Sequence, residues 1–209
     1  MTVTAGATNV VLFNGTTQNM TGSATTFTSL TLSNTSLTIN GDITINSTLT
    51  FTTGNIITGA NNVILPAAGS VSRTSGHVVG NLRKNVATGS AVARTFQVGT
   101  GSDYTPVDIT FATVSVAGNL TISTTASDHA QIATSGFTAA STVNRYWTMT
   151  NSGITFTNYD VTCTFVDTDK DGGITTSTCV IRTYNGASWS SPAVGTQGAN
   201  STQATSIST

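Results

Sequence analysis

The chain has 209 residues with 7 basic and 8 acidic side chains, a net charge of −1, and 7% charged residues, where globular chains carry about a quarter. Sparse, balanced charge excludes a general nucleic-acid binder, which needs clustered Lys and Arg to neutralise phosphates; only Arg83 and Lys84 are adjacent basic residues. No apolar run approaches the ~20 residues that span a bilayer as a helix, so no membrane span is expected.

Threonine supplies 46 residues, serine 23 and asparagine 17. Threonine is β-branched and fits a pleated, half-exposed surface. Apolar residues alternate with polar ones, and helical periodicity is absent. The expected class is all-β. The opening "MTVTAGATNVV" already alternates from Thr2 and shows no signal-peptide pattern, so export signals are expected to lie outside this sequence.

Up to residue 76 the strands are short. From Ser29, apolar pairs fall at Leu30 and Leu32, Leu37 and Ile39, Ile43 and Ile45, and Leu49 and Phe51, followed by Ile56, Ile57, Val63 and Leu65. Gly and Asn turns separate most of the pairs. This is the pattern of a β-solenoid, whose inward residues stack from one rung to the next, although the spacing is too irregular to give a rung length. A meandering antiparallel sheet is the alternative.

From residue 77 the strands lengthen: "HVVGNLRKNV", "ARTFQVG", "TPVDITFATVSV", "GNLTISTT", "NRYWTMT", "YDVTCTFVD" and "CVIRTYNG". They suggest an antiparallel β-sandwich over 77–209, with Phe111, Trp147, Phe165 and Trp189 in its core. The Gly/Ser-rich "GSVSRTSG" at 69–76 marks the expected boundary with the solenoid domain, 1–76.

Within "FVDTDKDGGITTST", Asp167, Asp169 and Asp171 stand at alternate positions before Gly172 and Gly173. D-x-D-x-D-G matches the start of a calcium loop, with the Gly173 carbonyl at the seventh position. Thr178 occupies the place of the bidentate Glu, and strands flank the loop, so a weak structural calcium site is expected and an EF-hand is excluded. A solvated turn, neutralised in part by Lys170, is the alternative. A hairpin centred on Asp171 sets Cys163 opposite Cys179, close enough for a disulfide. Closing such a loop stabilises by about 3 kcal/mol. Two reduced core thiols remain the other reading.

No catalytic constellation assembles. His77 and His129 lie far apart in sequence with no acid or cysteine cluster at ligand spacing, and a glycosidase needs two carboxylates flanking a cleft. No catalytic residue is assigned and no enzyme is expected.

The segments "VVLFNGTTQNMTGSATTFTSLTLSNTS", "GNLRKNVATGS", "RTFQVGT", "VNRYWTMTNSG" and "YNGASWSS" occur in that order. Together they resemble parts of the long repetitive cell-surface proteins of Bacteroidota, adhesins and gliding-associated surface proteins. The resemblance implies export by the type IX route and a place at the cell surface, and it carries no catalytic residue. The expectation is an extracellular structural protein, a filament or stalk subunit that partners itself head to tail or neighbours repeats of a longer chain. A monomeric adhesin for a glycan or surface is the runner-up, and a carbohydrate-active enzyme the third. No adhesion ligand is indicated.

Overall fold

The computed structural model describes residues 10–208 and is all-β, 60% strand and 6% helix. The strand expected from Thr2 lies outside the described residues. The chain opens as a parallel β-solenoid of about five turns, to which antiparallel sheets are added. Its first turn is Val10–Phe13, Thr17–Met20 and Thr25–Phe27, one short strand on each of three faces. Ser29–Ile39 bends across the first two faces of the second turn, and Ile43–Ile45 forms the third. Thr48–Leu65 covers all three faces of the third turn in one strand. Ser70–Arg73 and Val78–Val86 follow as the fourth, and Val98–Thr100 begins the fifth.

Val10 stands beside Ser29, and Leu30 beside Leu49, nineteen positions on in each case. Between the third and fourth turns the step lengthens to twenty-two on the first two faces, as Ile56 meets Val78, and is nineteen on the third, as Val63 meets Leu82. Inward residues therefore stack in files. Val11, Leu30, Leu49 and Val71 form one; Leu37, Ile56, Val78 and Val98 form another. From Leu30 to Leu65 nearly every inward apolar residue is fully buried, each burial stabilising by roughly 1.5–3 kcal/mol. Outward positions carry threonine ranks, as where Thr31 meets Thr50. Like charges there would stand about 4.8 Å apart in successive turns and repel, which favours a charge-poor sequence.

The corner between the first two faces needs residues with little bulk. Gly54 has φ +79° and Gly76 φ +86°. A Cβ on Gly54 would strike the Asn34 carbonyl, and one on Gly76 would strike the Gly54 carbonyl. Buried Asn34 satisfies the turn below by donating Nδ2 to the Ser36 carbonyl at 3.0 Å and to Gln18 Oε1 at 3.2 Å. Neutral amides thus replace charges where the backbone changes direction.

The expected division at 76/77 does not fall at a break in the sheet. "GSVSRTSG" contains strand Ser70–Arg73 and the Gly76 corner, and the parallel ladder continues into Val78–Val86. The chain then leaves the solenoid for Gly89–Phe96, which belongs to the antiparallel sheet, and returns as Val98–Thr100. Gly118–Thr125 closes the third face by pairing antiparallel with Val78–Val86, and Tyr146–Ser152 extends that sheet. A second sheet orders Gly89–Phe96, Val107–Val116, Tyr159–Thr164, Ser201–Ile207 and Ala193–Gln197, all antiparallel. Buried side chains of both sheets join the solenoid files in a single core.

One cation, Lys84, enters that core at the closed end of the solenoid, while Arg73 stays exposed beside it. Lys84 follows Leu65 in the file that begins with Phe27 and Ile45, and meets Leu120 across the antiparallel ladder. Its Nζ donates to the Thr95 carbonyl at 2.7 Å and Gln97 Oε1 at 2.8 Å, and burial lowers its pKa to about 8. Arg73 follows Phe51 in its own file, and its guanidinium lies 3.5 Å over the Tyr104 ring.

Candidate functional site

Strands Tyr146–Ser152 and Tyr159–Thr164, which belong to different sheets, line a cavity together with their connecting loops. Gly173–Thr175, just after the aspartate run, both cysteines and both tryptophans border it.

The three aspartates expected to converge on calcium take separate protein partners. Segments 142–144 and 169–171 run alongside each other: Asn144 N–H donates to the Asp169 carbonyl at 2.7 Å, Asp171 N–H donates to the Thr142 carbonyl at 3.1 Å, and Val143 bridges Lys170. Asp169 is buried and grips Arg145 with both oxygens, at 2.7 Å from Nε and 2.8 Å from Nη2. Asp171 accepts from Thr142 N–H and Asn144 Nδ2, both at 2.8 Å. Asp167 points to solvent and accepts from Lys170 Nζ at 2.6 Å and Asn200 Nδ2 at 3.1 Å. The Lys170 bond holds Asp167 below the usual carboxylate pKa, and the Thr142 amide does the same for Asp171. Gly173 takes φ +88°, so the left-handed turn falls on it, one position after Gly172, where the calcium-loop pattern puts its turn. Among the described residues, no three His, Cys, Asp or Glu side chains stand together to hold a metal.

Arg145 is the hub of this corner. Its side chain is fully buried, and Nη1 also donates to Thr100 Oγ1 at 3.1 Å and Thr124 Oγ1 at 3.3 Å. It ties the last turn of the solenoid, the closing strand and the aspartate loop together. Sequence spacing cannot reveal this role, because the partners come from three distant segments.

The disulfide is corrected by strand pairing. Cys163 lies between Val107 and Thr202 on its two neighbouring strands, and the structure holds both Cys163 and Cys179 as free thiols. "STCVIRTY" does not pair with "YDVTCTFV"; Cys179 instead follows a 3-10 turn, Thr176–Thr178, and only Thr183–Tyr184 of that segment is strand. Burial pushes the Cys163 thiol up to about 12, while Cys179 is partly accessible.

The cavity measures about 710 Å³. Its walls are mainly apolar, with Trp147, Met149, Val161, Cys163, Phe165 and Ile181 among them. Four rings meet on one flank. His129 lies 5.1 Å from Tyr146, 5.2 Å from Tyr184 and 5.1 Å from Trp189, centroid to centroid. Trp189 Nε1 donates to the Gln131 carbonyl and Thr134 Oγ1, each at 3.2 Å, pinning loop 126–142 to strand Trp189–Ser190. Trp189 is therefore half-buried against loops, whereas Phe111 and Phe165 are buried as expected and Trp147 packs against the core.

Comparison of the chain with protein-family models, curated proteins and solved structures yields no significant match.

Proposed function

We propose that this protein is a structural element of an extracellular bacterial surface, a filament or stalk subunit that adds neighbours through its open strand edges. The observation that carries the reading is the first solenoid turn. Among the described residues, its strands pair on one side only: Val10–Phe13 and Thr17–Met20 with Ser29–Ile39, and Thr25–Phe27 with Ile43–Ile45. Val10 is 61% exposed and Leu12 53%. Apolar side chains beside unpaired backbone groups invite another strand. A second edge is Ala193–Gln197, paired only with Ser201–Ile207 and carrying half-exposed Val194. Joining unlike edges of successive copies is a heterologous contact, which extends into a filament unless the rotation closes. The charge-poor threonine surface supports an extracellular setting. The competing adhesin reading needs a free aromatic platform, and the rings here are half-buried against one another.

Sedimentation velocity over a concentration series, with electron microscopy of the same samples, tests the proposal. Concentration-dependent oligomers or filaments are expected, and V10K/L12K abolishes them while leaving the far-UV spectrum unchanged. A wild-type chain that stays monomeric at every concentration overturns it.

A further inference from the structure

The cavity is chemically unbalanced in a way that assembly does not use. Three charged side chains line it: Asp128, Arg145 and Arg182. Arg145 is matched by Asp169, and Asp128 Oδ1 accepts from Thr142 Oγ1 at 2.7 Å. Arg182 enters none of the ion pairs among the described residues, and its buried Nε has no hydrogen-bond partner, although its guanidinium lies 5.4 Å over the Phe137 ring. On another wall Thr202, only 3% exposed, has a hydroxyl without a partner. Leaving such groups unbonded is costly in a dry interior, and both border the same space.

We propose that this cavity binds an amphipathic monocarboxylate, with the apolar body between the two sheets and the carboxylate at Arg182. The walls favour an apolar body over a sugar, because Trp147, Met149, Val161 and Phe165 offer hydroxyls no partner and two of the polar lining residues, Asp128 and Thr142, are bonded to each other. The four rings on its flank pack on each other at centroid distances of 5.0 to 5.2 Å. One unmatched cation calls for one anion, and Thr202 adds a single hydroxyl that donates to it or to a polar substituent. A volume of about 710 Å³ falls in the range of small-molecule sites, ~300–1,000 Å³. The carboxylate is carried by either a chain or a ring, so both need testing.

Trp147 and Trp189 both border the cavity and report on its occupancy. The experiment titrates the full chain with decanoate and with 4-phenylbutyrate, following tryptophan fluorescence, and repeats the titration with decanol and with N-acetylglucosamine. Saturable binding of at least one acid is expected. R182Q weakens that acid at least tenfold and leaves decanol within twofold, and V161F, which fills the space, removes both. Thermal melts show whether each variant folds; the wild-type titration stands without them. Binding of neither acid, equal binding of acid by R182Q, or preference for the sugar overturns the proposal.

Discussion

Replacing Asp169 by alanine isolates what the aspartate run contributes. In the folded chain Asp169 is the counter-ion of Arg145, whose side chain is fully buried, and the pair is bidentate at 2.7 and 2.8 Å. Removing the carboxylate leaves a guanidinium stranded beside two neutral threonine hydroxyls, with Asp103 only at 3.8 Å. Stranding one partner of a buried pair costs about 3–5 kcal/mol. For a domain of this size each kcal/mol moves Tm by about 2–4 °C, so D169A should melt roughly 6–20 °C below wild type. Asp167 is 82% exposed and bonded to Lys170 and Asn200 at the surface, so D167A should melt close to wild type. The double variant R145A/D169A, which removes the orphaned charge, should recover part of the loss. Differential scanning calorimetry of wild type, D167A, D169A, D171A and R145A/D169A, with calcium and with chelator, measures all of this. Equal losses for D167A, D169A and D171A, together with a fall in Tm on chelation, would refute the ion-pair account and restore a cation at the loop.

Four further outcomes follow from particular residues. Lys84 titrates at about 8 folded against 10.5 ordinarily, so the unfolded chain binds more protons between those values and stability should rise from pH 8 to 10.5; urea unfolding of K84M should lack that rise. His77, lowered by burial to about 4 from 6.5, acts likewise in acid: stability should fall as pH drops from 6.5 to 4, and H77F should flatten that slope. Native protein treated with a thiol-reactive chromophore should label quickly at Cys179 and reach Cys163 only after unfolding, because one thiol is partly accessible and the other buried with a raised pKa; equal rates, or no free thiol, would contradict the strand pairing. Gly54→Ala forces a Cβ onto the Asn34 carbonyl at positive φ and should destabilise by more than the ~1 kcal/mol of an ordinary backbone substitution, whereas Gly172→Ala, with open space and no positive φ, should not.

What sequence pattern could carry was local alternation. Leu30, Leu32, Leu37, Ile39, Ile43, Ile45, Leu49 and Phe51 are buried as their period of two implies. Rung length was hidden because corners absorb different numbers of residues, so that on the first face the step is nineteen in early turns and twenty-two later. The Gly and Ser near 76 lie where the parallel ladder continues, because such residues mark solenoid corners as readily as linkers. Strands Ala193–Gln197 and Ser201–Ile207, rich in Thr, Gln and Gly, carry too few apolar residues to announce themselves, yet Thr202 and Ala204 are buried between neighbours. The aspartate alternation was legible, but its meaning lay in Thr142, Asn144 and Arg145, more than twenty positions upstream. The cysteine pairing assumed a hairpin, whereas Tyr159–Thr164 is an interior strand with both edges already taken.

Stacked parallel turns also determine how the molecule would respond to being pulled. Each turn is bonded to the next on its three faces in succession, so tension applied to the first turn peels those ladders one after another, bond after bond, without loading the rest together. Releasing a turn of nineteen residues pays out roughly 60 Å of chain and presents the next turn to the same force. Yielding should cease where Gly118–Thr125 and the Arg145 hub bind the solenoid to the antiparallel sheets, because there several segments must part at once. Such a chain would behave as a short extensible tether fixed to a stiff anchor.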